Sequence, residues 1–332
     1  MQNFNKKQAK IIGTGSYLPS KVLTNKDLEK MVETNDEWIV TRTGMKERRL
    51  AAADEFTSDM GRKAAEKALE AACCSAEVID FILFATLTPD YVFPSTACLI
   101  QNQLGAHQAA ALDIQAACSG YLYALGIAKS FIESGVYKNI LIIASEKLSS
   151  IINYEDRNTC ILFGDGASAA VLSSEGKGLA IRDVTLGADG ELAKLLILPA
   201  GGSRLPSSLE TVQEKQHFLQ MEGKEVFKHA VRRMESASKT SIEKAGLSEG
   251  DISWFVPHQA NIRIIEALAK RFNVPMEKVF VTIHKYGNTS ASSLGIALDE
   301  LLREGKVLAN ENILLTAFGA GLTWGASVLT HE

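Results

Sequence analysis

The sequence predicts an α/β protein built as two similar halves, and two observations carry that expectation. Apolar runs of strand length alternate with longer helical patterns, which implies mainly parallel sheets buried on both faces. The same motifs then return about 170 residues further on, in the same order, which single short matches do not do by chance.

Taken along the chain, Phe81-Ile-Leu-Phe-Ala-Thr-Leu-Thr-Pro89 reads as a buried strand, matched later by Ile252-Ser-Trp-Phe-Val-Pro257. A short strand pattern over Ala109 to Ile114 runs through Ala116 and Ala117 into a helix whose buried side is Leu122, Leu125, Ile127, Ala128, Phe131 and Ile132. Within it Leu125-Gly-Ile-Ala128 recurs as Leu294-Gly-Ile-Ala297, and each helix ends near a glycine, Gly135 or Gly305. The strands Asn139-Ile-Leu-Ile-Ile-Ala144 and Asn312-Ile-Leu-Leu-Thr-Ala317 follow, and Gly166-Ala-Ser-Ala-Ala-Val-Leu172 is echoed by Gly325-Ala-Ser-Val-Leu329. The halves join near Gly176 to Gly178, so residues 1–176 and 177–332 are expected to be related by a pseudo-twofold axis.

Bulk properties narrow the function. A chain of 332 residues with 46% apolar and 22% charged residues is an ordinary globular composition. A net charge of −4 disfavours a generic nucleic-acid binder and requires a local basic patch for any anionic partner. No apolar run spans a bilayer, and the N-terminus lacks a signal-peptide hydrophobic stretch. Five cysteines without CxxC spacing fit a reduced, cytoplasmic setting, with the adjacent Cys73 and Cys74 expected to be packing residues. Six histidines show no metal spacing, so no metal site is expected.

Cys118 carries the most information. Small neighbours (Ala116, Ala117, Ser119, Gly120) permit a tight turn, and a helix N-terminus is expected to favour thiolate over thiol. The repeat places Gly287-Asn288-Thr-Ser-Ala291 near the counterpart of Cys118, and Pro257-His258-Gln-Ala-Asn261 at a strand end. Cys118, His258 and Asn288 can then converge as nucleophile, proton carrier and neutral donor. Singly, His258 reads as a strand-end histidine and Asn288 as a cap or turn residue; one repeat operation acting on all three favours a site.

These motifs resemble the β-ketoacyl-acyl carrier protein synthase III family. The likeness runs from Ile11-Ile-Gly-Thr-Gly-Ser-Tyr-Leu-Pro19 to Ala317-Phe-Gly-Ala-Gly-Leu-Thr-Trp-Gly325, through Thr34-Asn-Asp-Glu-Trp-Ile-Val-Thr-Arg-Thr-Gly44, Phe163-Gly-Asp-Gly-Ala167, Val256-Pro-His-Gln-Ala-Asn261 and Gly287-Asn-Thr-Ser290. The resemblance implies a duplicated thiolase-like fold in α/β/α/β/α layers and a homodimer. The implied activity is an initiating decarboxylative condensation of an acyl-CoA with malonyl-acyl carrier protein, without a cofactor. It makes Cys118 the acylated nucleophile and His258 and Asn288 the condensation pair. Trp38 and Arg157 become an adenine-stacking pair with Arg42 near phosphate, Asn261 a pantetheine contact, and Phe318 a tunnel residue. Phe93 is placed across the dimer at the acyl pocket, where a large ring favours a short primer such as acetyl. Arg263, Lys270 and Arg271, off the apolar stripe Ile262, Ile265, Leu268, Ala269 and Phe272, become docking candidates for the acidic carrier protein.

The sequence departs from the family at Ala320, which interrupts the glycine run, and at Leu322, in a usual phenylalanine position. An oxyanion hole from the Cys118 and Ala320 N–H groups requires Ala320 to avoid positive φ. Gly13-Thr-Gly15 lacks a third spaced glycine and is followed by Pro19, which disfavours a dinucleotide loop. A non-catalytic acyl-CoA or carrier-protein binder would have no need of all three polar residues. Hydroxymethylglutaryl-CoA synthases use an acidic catalytic residue where asparagine stands here; specialised starter-unit synthases would share the triad.

Overall fold

The computed structural model describes residues 7–332. Nine strands form its main sheet: β1 Lys10–Tyr17, β2 Phe81–Ala85, β3 Ala110–Ile114, β4 Asn139–Glu146, β5 Gly166–Ser173, β6 Leu179–Ala188, β7 Ile252–Pro257, β8 Asn312–Gly319 and β9 Thr323–His331. Their order across the sheet is β7-β8-β9-β6-β1-β5-β4-β2-β3. Divided between β6 and β1, this order contains one pattern twice. In β1-β5-β4-β2 the first two junctions are antiparallel and the third parallel, and β6-β9-β8-β7 repeats both order and sense. A fifth strand, β3, pairs parallel with β2; its counterpart is a single parallel bridge between Phe255 and Val279. Only two residue pairs, Lys10–Ala180 and Ile11–Leu179, join β1 to β6.

Side-chain alternation makes the layers. Leu83, Ile142, Leu172 and, from the other half, Ile313, Leu315 and Leu329 turn inward onto the helices Gly120–Glu133 and Ser292–Arg303 and share one core with them. The intervening residues Ile82, Phe84, Leu141 and Val171 pack outward against the helix Thr57–Ala71. Phe255, Leu314 and Val328 pack outward against the helices Gly223–Lys244 and Ile262–Arg271. The result is helix, sheet, helix, sheet, helix. Burial of β4, β5 and β8 along almost their whole length explains why they read as unbroken apolar runs.

Gly13 and Gly15 have a packing role. A Cβ at Gly13 would lie 2.5 Å from Ala68 O, and one at Gly15 2.4 Å from Ala64 O, so β1 lies backbone-close to the helix Thr57–Ala71. Among the described residues no helix is long and apolar enough to cross a membrane. Cys73 is exposed and adopts φ of 49°, and Cys74 is half-buried. The expectation that this pair packs in the core is corrected for Cys73, because the helix has already ended at Ala71 and the chain turns outward.

Gly13→Ala is expected to cost about 1–3 kcal/mol of stability by overpacking, read from urea unfolding. Gly190→Ala, where an added Cβ meets nothing within 4 Å, should stay within about 0.5 kcal/mol of the parent.

Candidate active site

Strand β3 delivers the chain to a short turn, Ala117–Ser119, that runs straight into the central helix Gly120–Glu133. Ala117 takes φ of 46°, and Cys118 ends up buried, 7% exposed. Close backbone contacts fix this turn from both halves. A Cβ on Gly319 would lie 2.6 Å from the Cys118 nitrogen, so only glycine lets the end of β8 pass the turn. A Cβ on Gly120 would meet Ala85 Cβ at 3.0 Å and Ala291 Cβ at 3.2 Å. Thr323 Oγ1 lies 2.8 Å from Ala116 O and 3.0 Å from Ala320 O, which ties the cysteine turn to the glycine-rich turn after β8. The positive φ of that later turn falls on Gly321, at 134°, and Ala320 is free of it. The condition for an Ala320 contribution to an oxyanion hole is therefore met.

His258 leaves the end of β7, where its N–H donates to Thr316 O at 2.8 Å on the neighbouring strand β8. Among the described residues neither ring nitrogen has a hydrogen-bond partner, and the side chain is fully buried. Asn288 is held by its backbone, its N–H donating to Leu162 O at 2.9 Å and its carbonyl accepting from Gly164 N at 3.0 Å. Its Oδ1 accepts from Ser290 N at 2.8 Å, which turns the Nδ2 group away from that bond as a donor. Strand β8 thus runs beside His258 at Thr316 and beside Cys118 at Gly319, while Ala291 links the Asn288 turn to the cysteine helix.

Electrostatically, Cys118 and His258 are themselves uncharged at rest. Burial pushes the Cys118 thiol from 9.0 up to about 12, with the Glu146 charge adding to the rise and Ser290 opposing it. That corrects the expected resting thiolate: the rise corresponds to roughly 4 kcal/mol, against about 0.3–1 kcal/mol from a helix N-terminus. Burial likewise pushes His258 down to about 4, leaving it uncharged near neutrality.

Two neighbours were not legible as site residues. Glu146, at the end of β4, is fully buried; its Oε2 accepts from Thr86 Oγ1, Leu87 N, Thr88 N and Thr88 Oγ1, and its Oε1 has no partner among the described residues. Ser290 takes φ of 52° and keeps a buried, unpartnered Oγ. The available signal was the repeat itself, since the matched strands Asn139–Glu146 and Asn312–Gly319 put Glu146 in the position of Gly319.

The outer candidates separate into two groups. Trp38 is flanked by Arg157 at 4.8 Å and Arg42 at 5.3 Å from its ring centre, so these three side chains do come together. Arg263 is exposed and donates to Thr41 O beside them, and Lys270 is exposed on the same helix. Arg271 is engaged in an ion pair with Glu235, which also binds Lys239 at 2.9 Å. Asn261 caps the helix Ile262–Arg271 by accepting from Arg263 N at 2.9 Å, and its Nδ2 reaches Arg42 O at 3.2 Å. Phe318 is buried in the core beneath the outer helices of the second half, whereas Phe93 is 84% exposed. Among the described residues no group of three or more His, Cys, Asp or Glu is placed to hold a metal ion.

The duplicated, layered architecture with its central helix pair is that of the thiolase-type condensing enzymes. Residues 112–190 match the family described as 3-oxoacyl-[acyl-carrier-protein (ACP)] synthase III, and residues 242–331 match its C-terminal counterpart. A β-ketoacyl-[acyl-carrier-protein] synthase III of Chlamydia muridarum is 63% identical over 97% of this chain and 99% of its own. The crystal structure of 3-oxoacyl-[acyl-carrier-protein] synthase III from Aquifex aeolicus superposes with a TM-score of 0.89 at 51% identity, covering 97% of this chain and 100% of that one. The Thermus thermophilus β-ketoacyl-[acyl carrier protein] synthase III structure gives 0.91 at 46% identity, over 97% and 99%. The chain belongs to the β-ketoacyl-[acyl-carrier-protein] synthase III family, acyltransferases that carry out the initiating condensation of fatty-acid synthesis.

A histidine depressed to about 4 in the fold against about 6.5 unfolded contributes stability that is complete above pH 6.5 and is lost as pH falls toward 4. Nitrogen-15 NMR of labelled histidines should therefore show the His258 ring neutral throughout pH 5 to 8; a protonation midpoint near 6.5 contradicts the assignment.

Proposed function

We propose that Cys118, His258 and Asn288 carry the condensation, with a short acyl-CoA, acetyl-CoA first, as primer. The observation that carries this reading is a buried thiol at a backbone-lined turn, with strand β8 passing both that turn and a buried histidine whose ring nitrogens have no partner among the described residues, and an asparagine with a spare amide donor on the loop packed against the cysteine helix.

In the first half-reaction the Cys118 sulfur attacks the acyl-CoA carbonyl, the N–H groups of Cys118 and Ala320 stabilise the oxyanion, and CoA leaves as its thiol. In the second, the carboxylate of malonyl-acyl carrier protein departs as carbon dioxide. The electron pair left behind makes an enolate that attacks the acyl-cysteine, releasing the Cys118 sulfur to be reprotonated. His258, neutral, and Asn288 Nδ2 donate hydrogen bonds to the malonyl thioester oxygen as charge builds there. A carboxylate in place of Asn288 would oppose that charge.

Trp38 with Arg157 and Arg42 supplies an aromatic face and two cations for the adenine and phosphates of CoA. Asn261, as the cap beside Arg42, is assigned to the pantetheine arm and Phe318 to the tunnel wall. Exposed Arg263 and Lys270 are the stronger docking residues for an acidic carrier protein; Arg271 would first have to leave Glu235. In this reading residues 1–176 provide the nucleophile and 177–332 the condensation pair. The enzyme works as a cytoplasmic homodimer, with Phe93 closing the partner's acyl pocket.

Intact-protein mass after incubation with a panel of acyl-CoAs, followed by peptide mapping and addition of malonyl-acyl carrier protein, tests the reading. Acetylation confined to Cys118 and cleared as acetoacetyl product forms is the expected result; no adduct from any donor overturns it and favours a binder. Cys118→Ala should abolish acylation. Asn288→Ala should still acylate yet lose about a hundredfold or more in condensation, the scale of one lost oxyanion donor. Phe93→Ala should extend the accepted chain, seen as adducts from longer acyl-CoAs that the parent refuses.

A further inference from the structure

The mechanism above leaves a fully buried carboxylate, Glu146, without a task. Its setting is unusual in one respect: Oε2 is saturated by donors from Thr86, Leu87 and Thr88, while Oε1 has no partner among the described residues. A purely structural buried carboxylate would be expected to satisfy both oxygens, because an orphaned buried acceptor is costly.

The fold brings the end of β4 close to the Asn288 turn. In β4, Glu146 pairs with Gly166 of β5, and a Cβ at Gly166 would lie 3.5 Å from Thr289 Cγ2. Ala85, directly before the Thr86–Thr88 clamp, lies against Gly120 together with Ala291. The internal repeat gives the same placement independently. The end of β8, Gly319, lies against the Cys118 turn, so the end of β4, Glu146, should lie against the matching Asn288–Ser290 turn. Ser290, on that turn, takes a positive φ and keeps a buried hydroxyl with no hydrogen-bond partner among the described residues. Ser290 also favours the ionised forms of both Cys118 and Glu146.

We propose that Glu146 takes the Cys118 thiol proton through the Ser290 hydroxyl while the acyl-CoA is attacked, and returns it to the departing CoA. The proposal rests on Cys118 being the acylated residue. In the forward step the S–H bond of Cys118 breaks as its proton passes to Ser290 Oγ, and the Ser290 hydroxyl proton passes to Glu146 Oε1. The sulfur electron pair forms the bond to the acyl carbonyl carbon. As the tetrahedral intermediate collapses, the C–S pair leaves with CoA, and the proton runs back from Glu146 through Ser290 to the CoA sulfur. One negative charge is shared throughout, and the single Ser290 proton faces whichever end carries it. Glu146 acts through Ser290 and touches no substrate atom, whereas Ser290 exchanges the proton with the Cys118 and CoA sulfurs directly in this scheme. His258, uncharged, has no role in the transfer. Lys147 points away, with its Nζ on the carbonyls of Ala52 and Glu55.

The test is the rate of Cys118 acylation, followed by intact mass from pH 6 to 8, in the wild-type enzyme, Glu146→Gln, Ser290→Ala and the double variant. Burial pushes Glu146 up to about 7, so the wild-type rate should rise across this window as the carboxylate ionises, whereas His258, already neutral, does not titrate there. Glu146→Gln keeps the shape and should slow acylation about a hundredfold and lose the inflection near pH 7 that the carboxylate gives the wild type. Ser290→Ala should slow it comparably, and the double variant should be no slower than the worse single. Wild-type rates and profile in Glu146→Gln overturn the relay. So does a flat wild-type profile, which keeps the test open even where a variant fails to fold. Acylation of a residue other than Cys118 in the wild type instead removes the reading on which the relay rests.

Discussion

The close approach of backbone to backbone at the N-terminal ends of the two central helices is the constraint on which the site depends. Gly120 must lie against Ala85 and Ala291, and Gly319 must pass the Cys118 nitrogen with no room for a side chain. The Gly120–Ala291 and Gly319–Cys118 contacts join the two halves. Cores of this density transmit displacement rather than absorb it, so the spacing of Cys118 from the His258 and Asn288 loops is set by the seam. The buried inner faces of both sheets supply the adhesion that holds that seam closed.

Burial also sets the chemistry. A site that excludes water strengthens every hydrogen bond to developing charge, but it penalises standing charge equally. The neutral thiol, neutral imidazole and amide of Asn288 are what such a cavity tolerates at rest. The surface around Trp38 follows the opposite rule, with the charged side chains of Arg42 and Arg157 kept in solvent.

Much of this was legible before any coordinates. The recurrence of Leu-Gly-Ile-Ala and its flanking strands encoded the duplicated topology, and from it the convergence of the Cys118, His258 and Asn288 loops. Strand alternation within unbroken apolar runs was not legible, because residues facing the central and outer helices are equally apolar. The protonation of Cys118 could not be read either: the sequence shows a helix start, and the desolvation that outweighs it is a property of the packed site. Glu146 reads locally as the polar flank of an apolar strand. Gly13 and Gly15 resemble a ligand loop until the helix Thr57–Ala71 is seen resting on them.

The two halves differ at their outer rims. The first ends in β3, an edge strand with an exposed Leu112; the second ends in the lone Phe255–Val279 bridge. The second half thus closes its rim with one bridge where the first has a whole strand, Ala110–Ile114, and that extra strand is the one that runs on into the cysteine turn.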